Sequence, residues 1–140
     1  MPEFRYYHPI EVRYGDLDPQ GHLNNAKYLT FMEQARVNYF KHLGLWDGES
    51  FLEIGFILAD IRITFRKSVQ FGQAVRVGTR VTRIGNKSLE MTYRMEDAVH
   101  DELLADGSSV LVAYDYQKLC SVPISEDWRR VIVGYEGIEL

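Results

Sequence analysis

The sequence predicts an α+β domain in which one antiparallel sheet wraps around a single long central helix. Three observations carry this. From Tyr28 to Leu43 the apolar residues recur every three or four positions and form one wide helical face. Four later segments alternate apolar and polar residues with a period of two, as half-buried strands do. The connections between those strands are too short for crossover helices, so the strands are expected to run as an antiparallel meander.

Composition narrows the class. The chain has 140 residues, 46% of them apolar and 26% charged, which is enough for one core and too little for two, so residues 1–140 are read as one domain. A net charge of -4 argues against a general nucleic-acid binder, which would carry a basic excess. Cys120 is the single cysteine, so no internal disulfide can form, and no Cys or His cluster around it suggests a metal. The N-terminal residues lack the apolar core of a signal peptide, and no apolar run approaches the ~18 residues of a membrane span. A cytoplasmic protein with no membrane partner is the expectation.

The first element, Arg5 to Tyr14, contains Tyr, Ile and Val with an alternation broken by Pro9, which suits an edge strand. The helix follows, with Asn24 or Asn25 as N-cap and Gly44 as its stop. Burying a large apolar side chain is worth roughly 1.5–3 kcal/mol, so a face this wide must be covered on several sides. Leu45 to Gly55 reads as a connecting loop. Ile61, Ile63 and Phe65 mark a half-buried strand with one wet face; Val75 to Thr82 and Leu89 to Glu96 mark two more, joined by a Gly85-Asn86-Lys87 turn. A fourth covers Ser108 to Gln117, with Val110, Val112, Tyr114 and Tyr116 on one face. Ser125-Glu126-Asp127 then caps a short helix reaching about Val133.

The chemistry is concentrated in one stretch, Tyr14-Gly-Asp-Leu-Asp-Pro-Gln-Gly-His-Leu-Asn-Asn25, directly before the helix. Its Asp16-x-Asp18-x-Gln20-Gly21 overlaps the start of a calcium loop, but Lys27 stands where the closing Glu belongs and no helix precedes it. A helix start offers free amides and a positive dipole end to a carbonyl oxygen that becomes negative under attack. A carboxylate a few residues upstream can act as nucleophile or general base. Asp18 with the amide of Asn24 or Asn25 therefore makes a minimal acyl-transfer site. The plainer reading stands beside it: Asp18, Gln20 and the asparagines close the turn and cap the helix. His22 divides the same way between a structural hydrogen-bonding role and proton transfer.

Tyr14-Gly15-Asp16-Leu17-Asp18-Pro19-x-Gly21-His22-x-Asn24-Asn25-x-x-Tyr28, followed by Met32-Glu33-x-Ala35-Arg36-x-x-Tyr39-Phe40, resembles the hotdog-fold acyl-CoA thioesterases of the 4-hydroxybenzoyl-CoA thioesterase type. The resemblance runs over nearly the whole chain and implies the hotdog fold, hydrolysis of an acyl-CoA to free acid and CoA, and no cofactor. By the matching positions it implies Asp18 as the catalytic carboxylate, Asn25 as the amide that polarises the thioester, and room for substrate at Gly21. His22-Leu23-Asn24-Asn25 is similar instead to the plant acyl-carrier-protein thioesterases, in which Asp, Asn and His act together; the matching positions are Asp18, Gln20 and His22, and Gln20 departs from the Asn. Two alternatives remain: a hotdog enoyl-CoA hydratase, from the Gly15-Asp16-x-Asp18-Pro19 and His22 pattern, and a non-catalytic acyl-CoA-binding module.

Gly21, Asn24, Tyr28, Phe56 and Leu58 are the expected substrate contacts, with Phe31 as a further wall. Glu33 and Arg36 are read as a structural pair on one helix face. Among Arg62, Arg66, Lys67, Arg76, Arg80 and Arg83, most are expected on the solvated face of the sheet and a few at the phosphates of CoA. One sheet over one helix leaves apolar edges, so a homodimer with the site at its interface, or a homotetramer, is expected.

Overall fold

The computed structural model describes residues 4–138, and Met1 to Glu3 of the N-terminal segment lie outside them. Its elements are β1 (Tyr7–Glu11), α1 (Asn25–His42), β2 (Phe56–Phe65), β3 (Ala74–Ile84), β4 (Ser88–Asp97), β5 (Leu103–Asp115), β6 (Cys120–Ser121) and α2 (Glu126–Glu136). Single 3-10 turns at Tyr14–Asp16 and Phe51–Ile54 lead into α1 and β2. Asn24 caps α1 by accepting the Ala26 amide, and Ser125 caps α2 by accepting the Trp128 amide. Among the described residues no helix is long and apolar enough to cross a membrane.

The main sheet is antiparallel with the order β1-β3-β4-β5-β2, and β6 pairs separately with β5. β3, β4 and β5 form the expected meander. β2 departs from it: instead of a hairpin with β3 it crosses to the opposite edge and pairs with β5 from Phe56↔Ala113 to Phe65↔Ala105. β2 also begins five residues before the Ile61 at which the alternation becomes visible, and β5 begins five before Ser108. In β5 the face turned to the core is Ser109, Leu111 and Ala113, while Val110, Val112 and Tyr114 are half-buried on the other side.

The core lies between α1 and the concave face of the sheet. Tyr28, Phe31, Met32, Ala35, Tyr39 and Phe40 of the helix face Val75, Val77 and Val81 of β3 and Leu89, Met91, Tyr93 and Met95 of β4. Arg36 is buried among them, with only 7% of its surface exposed. Its guanidinium donates to the Tyr93 hydroxyl (3.2 Å), which shares a 2.6 Å hydrogen bond with Ser109, and it pairs with Glu33 at 3.3 Å. The expected Glu33–Arg36 pair is therefore not a surface decoration but the outer end of a polar chain that crosses the core.

Beyond Gly78 the edge of β3 is no longer paired by β1. There the Glu136 carboxylate of α2 accepts both the Val81 amide (3.2 Å) and the buried Tyr39 hydroxyl, so one side chain joins α1, α2 and the sheet. Burial first, and the neighbouring Glu136 second, push the Tyr39 phenol above its usual range.

β2 shows the half-buried alternation that its sequence suggests only from Ile61 to Thr64, where Ile61 and Ile63 are partly covered and Arg62 and Thr64 are exposed. Ile57, Leu58 and Phe65 are all more than a third exposed, and only Phe56, Ile61 and Ile63 are partly covered. Its position explains the exposure, because β2 is one of the two edge strands of the sheet and pairs only with β5. Its inner neighbour β5 carries Gly107 opposite Ile63. A Cβ at Gly107 would stand 2.5 Å from the Arg62 carbonyl oxygen, and that backbone cannot yield without breaking the ladder. Gly107→Ala is expected to cost about 1–3 kcal/mol by overpacking. Urea unfolding measures it, and a variant as stable as the parent would show that the β2–β5 contact is not this close.

Candidate active site

The loop before α1 is a miniature hairpin. Asn24 N–H donates to the Asp16 carbonyl (2.9 Å), Leu17 bridges Leu23, and Asp18 N–H donates to the His22 carbonyl (2.8 Å). Pro19, Gln20 and Gly21 make the turn, closed by Gly21 N–H on the Asp18 carbonyl (3.0 Å). Gly21 has a φ of +80°, the left-handed region that side chains resist, so the turn requires glycine there. The second arm is stitched to the body of the domain by Leu23 N–H on the Val69 carbonyl and a bridge from His22 to Gln70.

Asp16 anchors this hairpin. Its side chain is fully buried; it accepts the Arg13 amide (2.9 Å) and the Arg13 guanidinium, with the Lys27 ammonium at 3.7 Å. Burial alone would raise its pKa, but the Arg13 amide and guanidinium, followed by Lys27, outweigh that and hold the carboxyl below its ordinary value. Lys27, which rules out a calcium loop, thus has a role as counter-charge to the loop's buried acid.

Asp18 is arranged differently. Its Oδ1 accepts the amides of Gln20 (2.9 Å) and His22 (3.2 Å), while its Oδ2 has no donor among the described residues. The helix start behaves in a matching way. Asn24 accepts the Ala26 amide through its side chain and the Lys27 amide through its carbonyl, and the intervening Asn25 amide meets no acceptor among the described residues. Asp18 lies two rungs along the ladder from Asn24, roughly 7 Å. One free carboxylate oxygen and one free helix-start amide therefore belong to the same small hairpin. Both plainer roles are also present in the structure: Asp18 does close the turn and Asn24 does cap the helix.

A family model described as the Thioesterase-like superfamily matches residues 12–132. The chain belongs to this superfamily. It is similar to a thioesterase of Thermus thermophilus whose structure was solved with coenzyme A and zinc, at 32% identity with a TM-score of 0.86, covering 99% of this chain and 100% of that one. It is also similar to the long-chain acyl-CoA thioesterase FadM of Escherichia coli, 24% identical over 76% of this chain and 80% of that protein. A predicted thioesterase of Bacillus stearothermophilus aligns at 26% identity and a TM-score of 0.83, over 92% of this chain and 94% of that one.

Within this thioesterase-like domain the expected substrate contacts are dispersed. Gly21 and Asn24 are exposed on the hairpin, and His22 beside them is half-buried. Tyr28 is buried: its ring meets Phe65 edge-on at 4.8 Å and its hydroxyl donates to the Lys67 carbonyl. Phe56 and Leu58 lie toward the other end of β2 and line a groove of about 450 Å³ between that strand and the exposed face of α1. Neither this groove nor three others of the protomer are lined by Asp18, His22 or Asn25.

The expected phosphate contacts are mostly engaged: Arg66 with Asp106, Lys67 with Glu102, Arg76 with Glu96 and Asp101, and Arg83 with Glu90. Arg62 has no acidic partner among the described residues. Sequence reasoning overlooked Arg13 and the burial of Asp16; the Arg13-x-x-Asp16 spacing across one 3-10 turn was the available signal. Among the described residues no group of three or more potential metal ligands comes together.

The sign of the Asp16 shift sets a pH window. A carboxyl whose folded pKa lies below its unfolded value of about 3.9 adds stability above that value and loses it as pH falls through the folded pKa. Asp16→Asn leaves a buried amide against two cations and is expected to cost about 1–3 kcal/mol at neutral pH. Measured by urea unfolding, the gap between parent and variant should close below the ordinary carboxylate range. A gap that is the same at pH 7 and in acid would show that Asp16 does not act through its charge.

Proposed function

We propose that the protein hydrolyses acyl-CoA thioesters, with Asp18 and the Asn25 amide as its chemical centre. The carrying observation is the pairing, in one hairpin, of a carboxylate oxygen and a helix-start amide that the fold leaves without partners. The thioester carbonyl oxygen accepts the Asn25 N–H, and the helix dipole favours the negative charge that grows on it. If Asp18 activates water, the hydroxyl adds to the carbonyl carbon, the C–S bond breaks, CoA leaves as the thiolate and takes up the proton, and the acid is released. If Asp18 itself attacks, the C–S bond breaks to give an acyl–Asp18 anhydride and CoA thiolate, and water then cleaves the anhydride to release the acid and restore the carboxylate. His22 stands on the hairpin beside Asp18 as an assistant in proton transfer. Gly21 and Asn24 border the thioester, and Tyr28 supports the first turn of the helix from below. The kinship with proteins named as acyl-CoA thioesterases supports this reading.

The active unit is a homodimer formed along β2. A ten-residue edge strand with exposed Ile57, Leu58 and Phe65 invites pairing with another strand. Antiparallel pairing of β2 with its own copy is self-complementary, as a two-fold interface requires. It brings the Phe56–Leu58 end of one strand opposite the Phe65 end of the other, and Phe65 touches Tyr28, one turn from the Asn25 amide. The groove beside Phe56 and Leu58 in one protomer then faces the hairpin of its partner, which explains why Asp18 and Asn25 lie outside the grooves of a single protomer.

Asp18→Asn is expected to lower kcat on acyl-CoA by about 10²–10⁴-fold, the usual contribution of a general base or nucleophile. Activity that survived within a fewfold would end the assignment. The Asn25 amide can be tested separately, because position N1 of a helix tolerates proline and the preceding Asn24 is already extended. Asn25→Pro should keep the fold, seen by circular dichroism, and lose about 10²–10³-fold in kcat. Ile57→Lys should give a monomer by light scattering and an inactive one; an active monomer would refute the shared site. Water addition to crotonyl-CoA, or tight acyl-CoA binding without turnover, would favour the hydratase or the binding module instead.

A further inference from the structure

Two hollows of the protomer share a wall. The groove along α1, about 450 Å³, runs from Thr30 through Gln34 and Val37 to Phe40. A second hollow, also about 450 Å³, lies behind it between Leu52, Val122, Ile124 and Trp128, under the N-terminal end of α2. Ile54, Phe56 and Tyr116 line both.

The wall has a fixed part and a movable part. The Phe56 ring packs in a three-ring cluster, at 5.9 Å from Phe40 and 5.1 Å from Trp128, which meet each other at 5.1 Å, so it is held in place. Tyr116 is 38% exposed. Its hydroxyl donates to the Phe56 carbonyl at 3.4 Å, the weak end of the hydrogen-bond range, and its ring touches Tyr114 at 5.0 Å. Turning Tyr116 toward solvent gives up that weak bond and the Tyr114 contact, and removes the most exposed of the three residues that both hollows share. The polar rim of the groove is already satisfied, since Glu33 and Arg36 neutralise each other and Arg36 is turned inward to Tyr93. What remains for an occupant beyond that rim is Val37, Phe40, Phe56 and Leu111, an apolar path ending at the wall.

We propose that Phe56 and Tyr116 set the acyl-chain length that the enzyme accepts. A shorter saturated tail ends in the groove against Phe56. A longer one passes Tyr116 and finishes in the hollow between Leu52 and Trp128. This rests on the acyl-CoA thioesterase reading above and assigns both compartments to the tail of that substrate. Each methylene that gains a dry wall is worth about fourfold in affinity, so a barrier across the path shows as a break in an otherwise rising series.

The experiment is a series of saturated acyl-CoAs from butyryl to stearoyl, with kcat/KM measured for the parent, Tyr116→Ala and Tyr116→Ala/Leu52→Trp. Tyr116→Ala is expected to move the break to longer tails and to raise kcat/KM on the longest substrates about tenfold or more relative to the shortest. Leu52→Trp, which fills the second hollow, should reverse that gain. A folded Tyr116→Ala with the parent's chain-length profile would overturn the proposal, as would a gain that Leu52→Trp leaves intact. If Tyr116→Ala does not fold, Tyr116→Phe removes only the bond to Phe56, and a smaller shift in the same direction is expected; an unchanged profile again overturns it. Hydrolysis of benzoyl-CoA but of none of this series overturns the chain-length wall and leaves the thioesterase reading standing. Should the parent hydrolyse neither this series nor benzoyl-CoA, that reading fails instead. Calorimetry with non-hydrolysable alkyl-thioether CoAs then compares the same variants by binding, and a profile that Tyr116→Ala does not shift overturns the wall.

Discussion

Everything at the start of α1 depends on one buried charge. The Asp16 carboxylate is fixed below the surface by the Arg13 amide and guanidinium and by Lys27, and the Asp16 carbonyl holds the Asn24 amide. A buried carboxylate without those partners would be costly, and with them it is a rigid post. Around it the hairpin from Leu17 to Leu23 is closed by the Leu17–Leu23 bridge and the Asp18–His22 backbone bond. Asp18 can then leave one oxygen free, because the loop amides that reach its side chain, those of Gln20 and His22, both meet Oδ1.

The same division of labour recurs on a larger scale. The strands are paired throughout the sheet, and β2, one of its two edges, carries exposed apolar residues that a single protomer does not cover. The groove along α1 is open on that side, and the hairpin with Asp18 and Asn25 is displaced from it toward the Phe65 end. The proposed second copy along β2 would cover that edge and bring groove and hairpin together.

The interior shows how polar groups are kept in an apolar layer. Arg36, Tyr93 and Ser109 form a continuous hydrogen-bonded chain across the core that ends at the exposed Glu33. Glu136 serves a similar purpose where β1 stops and β3 would otherwise expose the Val81 amide. Beyond the Glu33–Arg36 pair, neither arrangement follows from residue spacing along one element, because the Arg36–Tyr93, Tyr93–Ser109 and Tyr39–Glu136 bonds span 57, 16 and 97 positions.

The local signals in the sequence determined a great deal. Helical spacing and the Asn24 and Gly44 boundaries located α1, the period-two alternation located β3 and β4, and the concentration of Asp, Gly, His and Asn between Tyr14 and Asn25 marked the loop. These are properties of neighbouring residues, and short-range backbone preferences are enough to express them. Tertiary structure decided the rest. It sent β2 to the far edge, buried Asp16 while leaving an oxygen of Asp18 free, turned Arg36 inward, and set Phe56 and Tyr116 between two hollows. Each outcome depends on which distant strand or helix supplies the partner, and pairing of that kind is settled by burial and hydrogen-bond satisfaction across the whole domain.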